Sequence, residues 1–448
     1  MANLGITVLP EWAQAEGIDA VLDRVEAAGA TDIATSPYVM APAESGGSRE
    51  PPADGGHGSV RVLDRPLFGK RQLMIRTAPS YAPDKAIYAG LAYQPPEPDA
   101  LTAAEGDTVA RFIAAAKARG LKVWFQVQAA IPPGYRVQFS GVRAEDEALG
   151  PDGEPIHGRV DANASLAAPD ILAYTEALLK DLAAAYPDVA GFRIDWPEYP
   201  PYTFGSLFFD FSPHALAAAD RLGIDTARMR ADALALRTRL TTLEAGDIPA
   251  TVPSLDALSR YPGVADLLAL RRHLSAALVA RMRSALPPEM ALVPQAFPPP
   301  LNALSGFDIE AIAPEVEGIG IKFYTMHWPM ILADFARAMG GHDALAPLLA
   351  QLLGTGGARP QTVADLRYPD PEEAHAVGAD AIAEKLSAAR TAAGDTPVYA
   401  FTHAYGPLSD VMRRAEAAWT ASEGRLWVNR YGYMSDEKLA AFGKMVRG

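Results

Sequence analysis

The sequence contains no cysteine. Disulfides, thiolate metal sites and a cysteine nucleophile are therefore excluded. No apolar run is long enough to span a bilayer. Basic residues are outnumbered, 40 Lys and Arg against 54 Asp and Glu, for a formal net charge of -14. Such a chain is poorly suited to nucleic acid or to an anionic membrane surface, so neither is expected as a partner. No block of like charge reads as an interaction tail. The opening residues, Met1 to Gly17, lack a basic stretch followed by an apolar one. No signal peptide is expected, and the cytoplasm is the expected compartment.

What is present is a large supply of core, since 49% of the 448 residues are hydrophobic. Short β-rich apolar runs alternate with helical patterns. The expected strands are Leu4 to Leu9, Asp32 to Tyr38, Lys122 to Gln128, Val189 to Asp195, Met290 to Gln295, Gly318 to Tyr324, Pro397 to Thr402 and Arg425 to Asn429. Each is followed by a helical pattern. Eight strand–helix repeats imply a parallel sheet that right-handed crossovers close into a (β/α)8 TIM barrel of the α/β class. Length alone leaves two compact domains open, and alternation alone leaves an open doubly wound sheet. Against the open sheet, Leu9-Pro10-Glu11-Trp12 stands where a dinucleotide fingerprint would be. The expectation is one domain over 1–448, with no cofactor. A long insertion after strand 2 (41–100) would act as a lid. A helical elaboration after strand 4 (213–287) is a candidate for self-association.

Side chains alternate between strand faces. Gln126 and Gln128, Arg193 and Asp195, Lys322 and Tyr324, and Asn429 would then face the barrel axis. Polar groups inside a barrel cost free energy unless paired. Their recurrence near carboxyl ends points to a site there. The densest run is Gly191-Phe192-Arg193-Ile194-Asp195-Trp196-Pro197-Glu198-Tyr199-Pro200-Pro201-Tyr202. Arg193 would keep Asp195 ionised, as a glycosidase nucleophile or oxocarbenium stabiliser requires. Glu198, among Trp196, Pro197 and Tyr199, would have a raised pKa suited to a general acid. A buried structural Arg193–Asp195 pair is the alternative.

The run Gly-Phe-Arg-Ile-Asp resembles the fourth-strand motif of the alpha-amylase superfamily. That resemblance implies a nucleophile at Asp195 supported by Arg193. With Asp181-Leu182, Tyr186-Pro187 and Tyr199-Pro200 added, the stretch is similar to uncharacterised glycosyl-hydrolase-like barrels. Those carry Asp-Gly-(apolar)-x-x-Asp-x-x-Arg-Tyr-Pro here; Ala190 and Glu198 replace the first aspartate and the arginine. Strand 5 ends Val293-Pro294-Gln295-Ala296-Phe297, without the amylase acid. Thr402-His403-Ala404-Tyr405 replaces the amylase Asn-His-Asp at strand 7. Pro197, and the lack of a strand 7 glutamate, also depart from the large clan that uses one glutamate at strand 4 and one at strand 7.

Other strand ends supply Glu11, Trp12, Tyr38, Gln295, His327, Trp328, His403, Tyr405, Asn429 and Tyr431 as candidate substrate contacts. Lys322 could neutralise Asp195. Aromatic faces suit the C–H faces of sugars, which makes a small carbohydrate the expected partner. The leading expectation is a hydrolase of glycosidic bonds, with Asp195 and Glu198 catalytic. Two alternatives remain: a metal-dependent sugar isomerase, epimerase or lyase using Glu11, Asp195, His327 and His403, and a barrel that binds sugar without turnover.

Overall fold

A computed structural model of the chain describes residues 2–50, 62–135, 141–155, 164–248 and 260–448. Eight parallel strands close on one another: β1 (Asn3–Thr7), β2 (Asp32–Thr35), β3 (Lys122–Gln128), β4 (Gly191–Asp195), β5 (Ala291–Ala296), β6 (Ile319–Phe323), β7 (Val398–His403) and β8 (Arg425–Asn429). Each pairs with its sequence neighbour, and β1 pairs with β8 through Asn3↔Arg425 to Ile6↔Val428. The expected TIM barrel is therefore present, closed and right in strand order.

Strand 2 stops three residues short of its expected end. Pro37 lacks the N–H a further ladder bond would need. Tyr38–Pro42 instead pairs antiparallel with Leu73–Pro79, which also pairs with Ser48–Glu50. The insertion expected as a lid thus contains a small sheet, whose short, proline-flanked strands give little periodicity to read. Arg65, Tyr81 and Tyr88 hold the segment to the barrel. Arg65 lies over the Tyr431 ring at 4.6 Å and donates to the Met434 carbonyl at 2.8 Å. Tyr81 and Tyr88 donate to Asp181 at 2.7 and 2.9 Å. Lys70, Arg71 and Arg76 are exposed; Arg61 lies outside the described residues. The elaboration after β4 contains helices Pro213–Arg221, Thr226–Thr241 and Pro262–Ala285. No helix among the described residues is long and apolar enough to cross a membrane.

The barrel interior is filled unequally. Trp427 of β8 and Phe401 of β7 stack with ring centroids 6.0 Å apart, on the axis beside Ala34 and Val293. Room for them comes from glycines on the neighbouring strands. A Cβ at Gly5 would meet the Trp427 ring at 2.2 Å, and one at Gly320 would meet Phe401 at 2.2 Å. Both contacts are far inside van der Waals range, against rings that cannot turn aside. We expect Gly5→Ala to destabilise the fold by about 1–3 kcal/mol, the usual cost of overpacking. Urea denaturation would measure it, and an unchanged midpoint would show that the interior is looser than this geometry implies.

Candidate functional site at the carboxyl end of the barrel

Above the aromatic layer the axis turns polar. Arg193 is wholly buried. Its guanidinium sits over Trp427 at 4.1 Å and Phe401 at 4.4 Å. It donates to Thr7 Oγ1 and Gln126 Oε1, both at 3.1 Å, and to Asn429 Oδ1 at 3.5 Å. Burial pushes its pKa down, to about 9, so it stays cationic at neutral pH. Arg193 therefore braces strands β1, β3 and β8 from the centre. Sequence reasoning paired it with Asp195, but the ion-pair partner of that carboxylate is a different cation.

That partner is Lys322 on β6. Its Nζ lies 3.2 Å from Asp195 Oδ1 and 3.2 Å from Glu198 Oε1, and 4.1 Å from the centroid of the Phe297 ring. One buried ammonium is thus shared by two carboxylates. The Asp195 side chain keeps 11% of its surface exposed, whereas Glu198 keeps none. Trp196 explains how both arise from one short segment. It leaves β4 at φ 55, a left-handed conformation unusual for a bulky side chain. Such positions cost on the order of 1–3 kcal/mol and cluster at functional sites. Beyond it the chain is tied down: Ser275 Oγ donates to the Pro197 carbonyl at 2.6 Å, and the Tyr199 amide to the Ser305 carbonyl at 3.0 Å. Glu198 is drawn inward, accepting from the Phe297 amide at 3.1 Å and from Ser305 Oγ at 2.5 Å. Burial pushes its carboxyl above the usual carboxylate range, against the opposing pull of Lys322. The raised pKa matches the sequence expectation. The position does not, because Glu198 faces Lys322 rather than the opening.

A wall from the ends of β6, β7 and β8 stands beside this triad. Tyr324 is half-buried, and its hydroxyl accepts from Asn429 Nδ2 at 2.5 Å. His403 Nδ1 accepts the Tyr405 amide at 3.1 Å, so the neutral ring carries its proton on Nε2. The His403 ring lies 5.7 Å from Tyr324 and 4.9 Å from Tyr433. His327, half-buried, pairs through Nδ1 with the Tyr202 hydroxyl at 3.2 Å. The sequence reading had Tyr202 among the aromatics at the strand ends and Tyr324 among the inward-facing positions, but singled out neither as a substrate contact. The signal for Tyr324 was available, since it shares the alternation phase of Lys322.

On the opposite flank are Gln128 and Gln295, both buried. Among the described residues, Gln128 Oε1 and both amide atoms of Gln295 have no hydrogen-bond partner. Leaving such a group buried and unmet costs roughly 1–3 kcal/mol.

Several candidates lie in the surrounding framework. Glu11 accepts from the Tyr38 hydroxyl at 2.8 Å, with both residues buried. Trp12 packs against Tyr431 at 5.8 Å. The Tyr431 hydroxyl donates to Glu16 at 2.8 Å. Tyr199 bridges Asp210 at 2.9 Å and the Leu166 amide at 3.2 Å. The Tyr405 hydroxyl donates to the Pro369 carbonyl at 2.8 Å. Trp328 is buried 6.3 Å from Phe323, and Trp196 lies 6.0 Å from Tyr202. These aromatics entered the sequence reading by position along the chain, which does not say which face of a loop a ring takes. Among the described residues no group of three or more His, Asp or Glu side chains could hold a metal ion. Between Asp195 and Glu198 the cation is the Lys322 ammonium.

No protein-family model matches the sequence, and no curated protein matches it. Solved structures do. A beta-galactosidase from the psychrophilic Marinomonas ef1 superposes with a TM-score of 0.51 at 12% identity, over 96% of this chain. This chain spans about half of that protein's length (54%). The catalytic domain of a beta-amylase from Paenibacillus polymyxa superposes with a TM-score of 0.50 at 9% identity, over 99% of this chain and 97% of that one. At these identities the likeness is one of fold, and the chain has the eight-stranded parallel barrel on which those glycoside hydrolases are built.

Proposed function

We propose that the protein hydrolyses glycosidic bonds of a small glycoside or oligosaccharide, with Asp195 as the reacting carboxylate and Glu198 as the second of the pair. The observation that carries this reading is the Asp195–Lys322–Glu198 triad at the carboxyl end of the barrel. Both bridged oxygens lie 3.2 Å from one nitrogen, so they are no further apart than twice that distance. That bound concerns one oxygen of each carboxyl; it is compatible with the separation of roughly 5–5.5 Å used by retaining enzymes and does not by itself choose between that and the roughly 6.5–9.5 Å of inverting ones. Asp195, partly exposed and beside a cation, suits attack on an anomeric carbon. Glu198, pushed up by burial, suits holding a proton. Lys322 links the two: as Asp195 loses its charge in a glycosyl ester, the ammonium is left to pair with Glu198. Tyr324, His403 and Asn429 supply hydroxyl and N–H groups for sugar oxygens.

A second reading is a barrel that binds sugar without turnover. The full burial of Glu198 favours it. A panel of nitrophenyl α- and β-glycosides, read by released nitrophenol and by product chromatography, separates the two. Release from at least one is expected, and the anomer first formed reports whether the pair works by retention or inversion. Sugar binding with no product across the panel would leave the second reading standing.

A further inference from the structure

Three adjacent strands carry Gln128, Asp195 and Gln295 at one level. Gln128 pairs in register with Asp195. Ile194 pairs with Pro294, so one step on Gln295 stands beside Asp195. Neighbouring strands lie about 4.8 Å apart, which sets the two glutamines on the order of 10 Å from each other with Asp195 midway. That spacing between strand axes is comparable with the breadth of a single pyranose ring and its hydroxyls. Both side chains are more than nine-tenths buried, and three of their amide atoms have no partner among the described residues. A glutamine there for packing alone would be better replaced by methionine, which has similar length and no polar atoms to leave unmet.

We propose that Gln128 and Gln295 are the specificity-determining residues of the site, reading hydroxyls on the two flanks of the sugar ring whose anomeric carbon faces Asp195. This rests on the carbohydrate reading above. A primary amide offers donors and an acceptor, and a hydroxyl is both, so each amide can engage neighbouring ring hydroxyls. A ring that lacks those oxygens leaves a buried amide unpaired and is rejected for that reason. A ring with charged or bulky groups there does not fit. The substrate class is a glycoside whose reacting ring is a neutral hexopyranose with free hydroxyls.

The test is the rise in Tm of the intact protein on adding D-glucose, D-galactose or D-mannose, in the wild type and in Gln128→Met and Gln295→Met. At least one sugar is expected to raise the wild-type Tm. Each variant should bind it roughly ten- to a hundred-fold more weakly, the loss of one hydrogen bond to a desolvated group. The basal Tm of Gln295→Met should be unchanged or higher. Wild-type affinity in both variants, or no rise with any of the three sugars, overturns the proposal. Failure of the hydrolase reading looks different: the sugar still binds and the glutamine variants still weaken it, but no glycoside is cleaved. Conversely, cleavage undiminished in both variants removes this proposal alone.

Discussion

Asp195→Asn should reduce glycoside turnover by at least on the order of 10³-fold, the scale seen when a central catalytic group is removed. The fold should survive, and the reason lies in the triad. Asparagine keeps the size of the side chain. Lys322 keeps Glu198 Oε1 as an acceptor 3.2 Å away, so its ammonium is not left without a partner. The variant should therefore unfold at nearly the wild-type Tm and still show the sugar-induced rise. Steady-state rates with the best nitrophenyl glycoside, together with a thermal melt, make the check. An Asp195→Asn enzyme that turns over at a tenth of the wild-type rate or better would remove Asp195 from the chemistry. A variant that cannot fold would show that Lys322 needs both carboxylates.

Lys322→Met should have the largest effect on stability. Removing one member of a buried charged group leaves the others uncompensated, at a cost of about 3–5 kcal/mol. Here the cost depends on pH, and its sign follows from Glu198. Burial already pushes that carboxyl up from its ordinary value of 4.5, and Lys322 opposes the push. Without the lysine the folded-state pKa rises further. The folded variant then keeps a proton that the unfolded chain gives up, so stability falls as pH rises from about 4.5 through the folded-state pKa. Urea unfolding at pH 5 and pH 8 should show the deficit small in acid and large in base. Adding Glu198→Gln removes the titrating group and should recover much of the loss while flattening the pH dependence. A single variant whose deficit is the same at both pH values would mean that Glu198 is not the group left stranded.

The barrel was legible because eight strands in a row repeat one signal, and errors at single ends do not change the count. The inward set was legible for the same reason: a period of two placed Arg193, Asp195, Lys322, Gln126 and Asn429 on the axis, where the structure has them. Pairing was not legible. Arg193 and Asp195 share a strand face, yet the contact to Asp195 comes from Lys322, 127 residues away. Distances across a closed barrel depend on how all eight strands stagger, and no local pattern records that. Glu198 illustrates a second limit. Its chemistry could be inferred from its aromatic neighbours, but its direction depends on the left-handed turn at Trp196, a conformation that tryptophan does not advertise.

The glycines facing Trp427 and Phe401 carry a consequence for how such a barrel can change over time. Each glycine is the negative of one ring: Gly5 for Trp427, Gly320 for Phe401, and Gly318 for Tyr399, which a Cβ would approach at 2.6 Å. A larger residue on one side is tolerable only after a smaller one has appeared on the other, and contacts this close do not add independently. Descendants of this sequence should therefore alter these positions two at a time or keep them, so that in a set of diverged relatives β1 would covary with β8, and β6 with β7.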